Sequence, residues 1–131
     1  RYDLADPADP RTFRRAVYRF VVRSQTQPWM TSLDCADPSM RVDKRNESLS
    51  PAQALALLNN GFMLTQAGFL AERVARERAE LGAQVGRAYE LVLGYPPTAA
   101  ERERLVAFAR AQGLAATCRV LFNLNAFAFA D

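Results

Sequence analysis

The stretch Val85-Gly86-Arg87-Ala88-Tyr89-Glu90-Leu91-Val92-Leu93 places Val85, Ala88, Tyr89, Val92 and Leu93 at i, i+3, i+4, i+7 and i+8, the apolar stripe of one helix face. Gly94 follows as a helix stop. Pro96-Pro97 then breaks the backbone, and Thr98 with Glu101 three residues on spells a capping box that opens another helix. Leu105, Phe108 and Ala109 supply that helix's buried stripe, and Gly113 ends it. A last helix begins near Leu114 and carries Cys118, Leu121 and Phe122 at i+4, i+7 and i+8, with Asn125 continuing the same stripe. Phe127 and Phe129 alternate with alanines, as an extended tail or as further helix.

Toward the N-terminus, Gly82 is expected to end a helix running from Phe62 to Leu81, with Phe62, Phe69, Leu70 and Val74 inside and Glu72, Arg73, Arg76 and Glu77 outside. Asn59-Asn60-Gly61 separates it from a short, buried helix launched by Ser50-Pro51-Ala52-Gln53, a capping-box pattern with proline at the first helical position. Residues 24–50 hold Pro28, Pro38 and the polar run Asp43-Lys44-Arg45-Asn46-Glu47, so periodicity fades there, apart from a short helical turn near Trp29 to Leu33. Asp9 is placed to cap a helix from Pro10 to about Arg23, with Phe13, Ala16, Val17, Phe20 and Val21 on one face and Arg11, Arg15, Arg19 and Arg23 advancing by fours beside it. Residues 1–9 read as an extended lead-in. The expected fold is therefore all-α, a compact bundle of five to six helices with one long irregular segment near residues 24–50.

The chain has 131 residues, half of them hydrophobic and 24% charged, which predicts a single domain able to build one core without disulfides or a structural metal. There is no histidine, which excludes Ser-His-Asp and Cys-His catalysis, histidine metal ligation and a histidine pH switch from within the chain. Seventeen basic against fourteen acidic residues leave a formal charge of +3, a mild bias that permits anionic partners without demanding them. Cys35 and Cys118 form no CxxC motif, which argues against a metal cluster or a thioredoxin-like site and leaves one bridge between them open, with Cys118 read as a small buried hydrophobe and Cys35 as a loop residue. No apolar run reaches the roughly 18 residues of a membrane-spanning helix, and the start at Arg1 shows no signal peptide, so the chain is expected to be a fragment of a larger protein.

Five segments together resemble one family: RRAVYRFVVRS at Arg14 to Ser24, LDCADPS at Leu33 to Ser39, KRNESLSPAQALALLNNGF at Lys44 to Phe62, YELVLGYPPTAAER at Tyr89 to Arg102, and GLAATCRVLFNLNAF at Gly113 to Phe127. They look like the C-terminal planctomycete-specific domain of unknown function. The resemblance implies a C-terminal module of a large exported bacterial protein, extracytoplasmic, whose neighbouring domains often include a cytochrome c domain with bound haem. The CxxCH motif that haem attachment requires is absent, so no cofactor is expected in this domain itself. The family commonly ends in an Asn-Glu-Phe triplet where this chain has Asn125-Ala126-Phe127, which puts any role of that carboxylate in doubt.

Three sets of residues are candidates for function. Arg11, Arg15, Arg19 and Arg23 read either as a solvated helix face or as a grip for phosphate, sulfate or uronic acid through paired N–H donors. Aromatics on the core side of that helix, not between the arginines, argue against nucleic acid. Asp34 and Asp37, with Arg45 and Asn46 in the same irregular segment, read either as turn and cap residues or as part of an enzyme site completed by upstream domains. Gln53, Asn59, Gln66, Asn123 and Asn125 lie on or beside apolar stripes, and each would cost about 1 to 3 kcal/mol if buried without a partner, so backbone groups of residues 24–50 are their expected partners. The functional expectation is a non-catalytic docking module that packs on upstream domains of its own chain or on another surface protein. Acidic-glycan binding and an accessory part in a composite enzyme site are the alternatives.

Overall fold

The computed structural model describes residues 6, 8–15, 18, 28–33, 35 and 51–128. Among them are seven α-helices and no strand: α1 (Pro28–Ser32), α2 (Pro51–Asn59), α3 (Gly61–Glu77), α4 (Leu81–Leu93), α5 (Ala99–Gln112), α6 (Leu114–Leu121) and α7 (Asn125–Ala128). The expected all-α bundle is what forms. Helix α3 packs on α6 and α4, α5 bridges α4 and α6, and α7 returns to α4. Helices α1 and α2 pack on each other, and α2 packs on α3, at one end of this group.

The core is built where these helices meet. Ala67, Ala71 and Val74 of α3, Ala88 and Tyr89 of α4, and Cys118 and Leu121 of α6 form one buried cluster, with Leu105, Leu114, Phe122 and others packed against it. The small residues on α3 and α4 let helix backbones approach closely, and the larger Val74, Val85 and Leu121, fully buried, fill the remaining space. Truncating Leu121 to alanine would leave a cavity, at about 2 to 5 kcal/mol. Thr117 is also fully buried, and its Oγ1 donates to the Gly113 carbonyl at 3.0 Å, so no hydroxyl is left unsatisfied there.

Several local readings hold. The Val85, Ala88 and Tyr89 stripe is buried, and Gly94 closes α4 at φ 82°, the left-handed conformation that costs other residues more. The box at Thr98 is complete: Thr98 Oγ1 accepts from the Glu101 N–H, and Glu101 Oε2 accepts from the Thr98 N–H at 2.8 Å. Gly113 closes α5 and opens α6 at φ 91°. The helical turn near Trp29 is α1.

Other readings are corrected. The helix expected from Pro10 is broken after a 3-10 turn, Pro10–Thr12: Phe13 adopts φ −75°, ψ 68°, and Arg14 and Arg15 are not helical, while residues 16, 17 and 19–23 lie outside the described residues. Asp9 caps that turn as read, and the departure from helix at Phe13 lets its ring meet Phe69 edge-on at 5.9 Å. Helix α2 is short but not buried: none of its side chains is, and Leu55 is 58% exposed. Helix α3 ends at Glu77, not Leu81, because Arg78 turns extended (φ −138°, ψ 136°) and the chain reverses into α4, whose first turn contains Gly82. Its core face is Met63, Ala67, Ala71 and Val74, about 145° round the helix from Phe62 and Phe69 at 100° per residue, and those two meet aromatic rings of the N-terminal segments instead. Phe108 is 38% exposed and only Ala109 of its helix is buried. Helix α6 stops at Leu121, so Asn125 leaves the stripe and begins α7, where it and Phe127 are exposed. Ser50 and Phe129 lie outside the described residues.

No single described helix is long and apolar enough to cross a membrane; α2 and α3 reach that composition only together, and they are bent by 49°. The apolar face of α3 is occupied by the bundle core.

Candidate functional site

Of the arginine set, Arg11 and Arg15 are described, and Arg19 and Arg23 lie outside the described residues. Arg11 is already engaged: its Nε and Nη2 donate to both carboxylate oxygens of Asp9, at 3.0 and 2.8 Å to Oδ2, and this holds Asp9 below the usual carboxylate range. Arg15 lies beyond the 3-10 turn, in irregular backbone, so the two do not share a helix face. Asp34, Asp37, Arg45 and Asn46 lie outside the described residues. Among the amides, Asn59 is exposed, and its Oδ1 accepts from Arg119 Nη2 at 2.7 Å. Gln53, Gln66 and Asn123 are half-buried and Asn125 is exposed. Cys35 and Cys118 are both free thiols, the first exposed and the second buried.

The polar groups that the bundle does bring together lie along helix seams, and the sequence reading did not single them out as sites. At the α3–α4 turn, Glu77 Oε1 accepts from Arg73 Nε and Glu77 Oε2 from Arg87 Nε, both at 2.8 Å, while Arg87 Nη1 stands 3.5 Å from Glu90 Oε2. The two guanidinium donors, Arg87 foremost, hold the Glu77 carboxyl down at about 2. At the α4–α5 seam, the Tyr89 hydroxyl donates to Glu101 Oε1 at 3.1 Å, while the other oxygen of Glu101 serves the cap. Burial first, and the Glu101 carboxylate second, push the Tyr89 phenol up to about 12. Desolvation likewise pushes the Cys118 thiol up to about 11. The i, i+4 spacing of Arg73 and Glu77 was readable; the Arg87 and Tyr89 contacts were not, because the turn geometry makes them.

Chemically, these groups are pinned away from neutrality. Glu77 therefore stays ionised, and Tyr89 and Cys118 stay protonated, near pH 7. Among the described residues, no group of three or more cysteine or acidic side chains could hold a metal ion.

The other notable surface is aromatic. Phe13 and Phe69 contact each other edge-on, yet remain 45% and 37% exposed. Along the same face of α3, Phe62 meets Trp29 at 6.0 Å. Two N-terminal segments therefore lean on one side of α3 through rings, and one ring pair is left open to solvent. Arg14 and Arg15 are exposed directly after Phe13 in the chain.

With the fold in place, comparison with known proteins assigns a family. The family model described as "PSD1: Protein of unknown function (DUF1553)" matches residues 3–109, and the chain belongs to that family. The match ends within α5 and does not reach α6 or α7. No curated protein and no solved structure matches the chain.

Proposed function

We propose that this chain is a non-catalytic helical docking module of a larger exported bacterial protein, seated C-terminally and packing against neighbouring domains of the same polypeptide. The observation that carries the reading is the Phe13–Phe69 pair, two large rings packed on each other and still substantially open to water. Aromatic side chains are enriched at the buried centres of interfaces because they combine large apolar area with few rotatable bonds. Planctomycete origin, export and a haem-bearing neighbour rest on the resemblance of the sequence segments quoted above. Any haem would belong to that neighbour, since this chain offers neither histidine nor a CxxCH motif.

The test is calorimetric titration of this domain with the separately expressed remainder of its parent chain, at low and moderate salt. Saturable binding that survives salt and is lost in the F13S/F69S variant supports docking through the ring pair. Binding that vanishes with salt and is indifferent to those substitutions transfers the role to the exposed arginines and an acidic glycan partner. No binding at either salt overturns the docking reading.

A further inference from the structure

Helix α2 packs on α1 and α3 but sits shallowly. None of its side chains is buried, and it carries no charged residue. One residue joins it to α3. The Asn60 N–H donates to the Ala56 carbonyl, its carbonyl accepts from the Leu64 N–H, and its Oδ1 accepts from the Phe62 N–H at 2.9 Å. Asn60 therefore finishes one helix and caps the next, in extended backbone (φ −65°, ψ 135°), with the two helix axes bent by 49°. A change at a few torsions there would swing α2 without breaking a hydrogen bond inside either helix.

Across from that joint stands Arg119 of α6, sixty residues further along the chain. Its Nε donates to the Leu58 carbonyl at 2.6 Å and its Nη2 to Asn59 Oδ1 at 2.7 Å. Both acceptors sit on the last turn of α2, where unpaired carbonyls and the negative end of the helix dipole favour a cation. A guanidinium is suited to the task because its forked donors grip two acceptors at once.

From this geometry we propose that α2 is a flap hinged at Asn60 and latched shut by Arg119. The latch lies on the core helix α6, whose Cys118 and Leu121 are fully buried, so it is fixed while the flap moves. The bond joins a cation to neutral acceptors, so salt weakens it less than it would an exposed ion pair. The device stands apart from the docking reading, and neither fails with the other.

Electron–electron distance measurement between spin labels tests it. Labels go on exposed A52C of α2 and exposed A107C of α5 in a C35S background, with a control pair, A75C and A111C, on exposed positions of α3 and α5. With Arg119 present, both pairs are expected to give one narrow distance. In R119Q, the α2 pair should gain a second, longer distance while the control stays narrow, and R119K, with one compact donor head, should fall between. An unchanged α2 distance in R119Q overturns the proposal, as does equal broadening of both pairs. Should R119Q fail to fold, N59A removes only one of the two acceptors at an exposed position, and it must shift the same pair in the same direction for the proposal to stand.

Discussion

Arg87 of α4 reaches back ten positions along the chain to donate to Glu77, the last residue of α3, and so closes the turn between the two helices. Glu77 also receives Arg73 on its other oxygen, so one carboxylate joins two helices. Its pKa is lowered from 4.5 to about 2, which means that the native state favours the ionised form. The stabilisation is therefore present above pH 4.5 and is lost as pH falls through 2. The urea midpoint should fall over that window, and E77Q should lower the midpoint at neutral pH and flatten its acid dependence. An E77Q protein with the same acid slope as the parent would refute this.

Tyr89 makes the opposite kind of prediction. A phenol raised from 10 to about 12 contributes stability that is present below pH 10 and is lost as pH rises through 12. Tyrosinate absorbance followed between about pH 9 and 13 should show a late phase that Y89F abolishes. Y89F should also cost about 1 kcal/mol at pH 7 through loss of the hydroxyl's bond to Glu101.

Gly86 lies inside α4, where a Cβ would come within 2.9 Å of Arg102 Nη2. The obstacle is the far end of a flexible side chain. G86A should therefore gain up to about 1 kcal/mol from helix propensity as the guanidinium steps aside, readable by thermal unfolding. A clear loss would mean that Arg102 is held in place on α4.

The two thiols should separate cleanly. A disulfide-exchange reagent at pH 8 should titrate one thiol, Cys35, in the native protein and both after denaturation, because Cys118 is buried and pushed up to about 11. Equal reactivity of both in the native state would contradict the burial of α6.

Much of the bundle was readable because its signals were local. Gly94, Gly113 and the Thr98–Glu101 box each fix a helix end through their own backbone or side-chain chemistry, and the Val85 stripe has a single helical solution. The errors fell where a distant partner decides. Arg78-Ala79-Glu80 has nothing against helix locally, yet the chain turns there, with Gln84 Nε2 donating to the Arg78 carbonyl and Arg87 to Glu77. Phe62 and Phe69 matched the expected apolar spacing, but the core helices pack on the far side of α3, at Ala67 and Ala71, and the rings met Trp29 and Phe13 instead. Arg119 gave no sign at all, since its acceptors lie some sixty residues away.

The stretch recognisable as kin and the stretch that folds are different lengths. Recognition stops at residue 109, but three of the most deeply buried side chains, Thr117, Cys118 and Leu121, belong to α6. An expression boundary drawn at the edge of the family match would strip one wall from the core and leave Val74 and Ala71 facing water. For this chain, the excisable unit has to be set by burial, with the cut placed after α7.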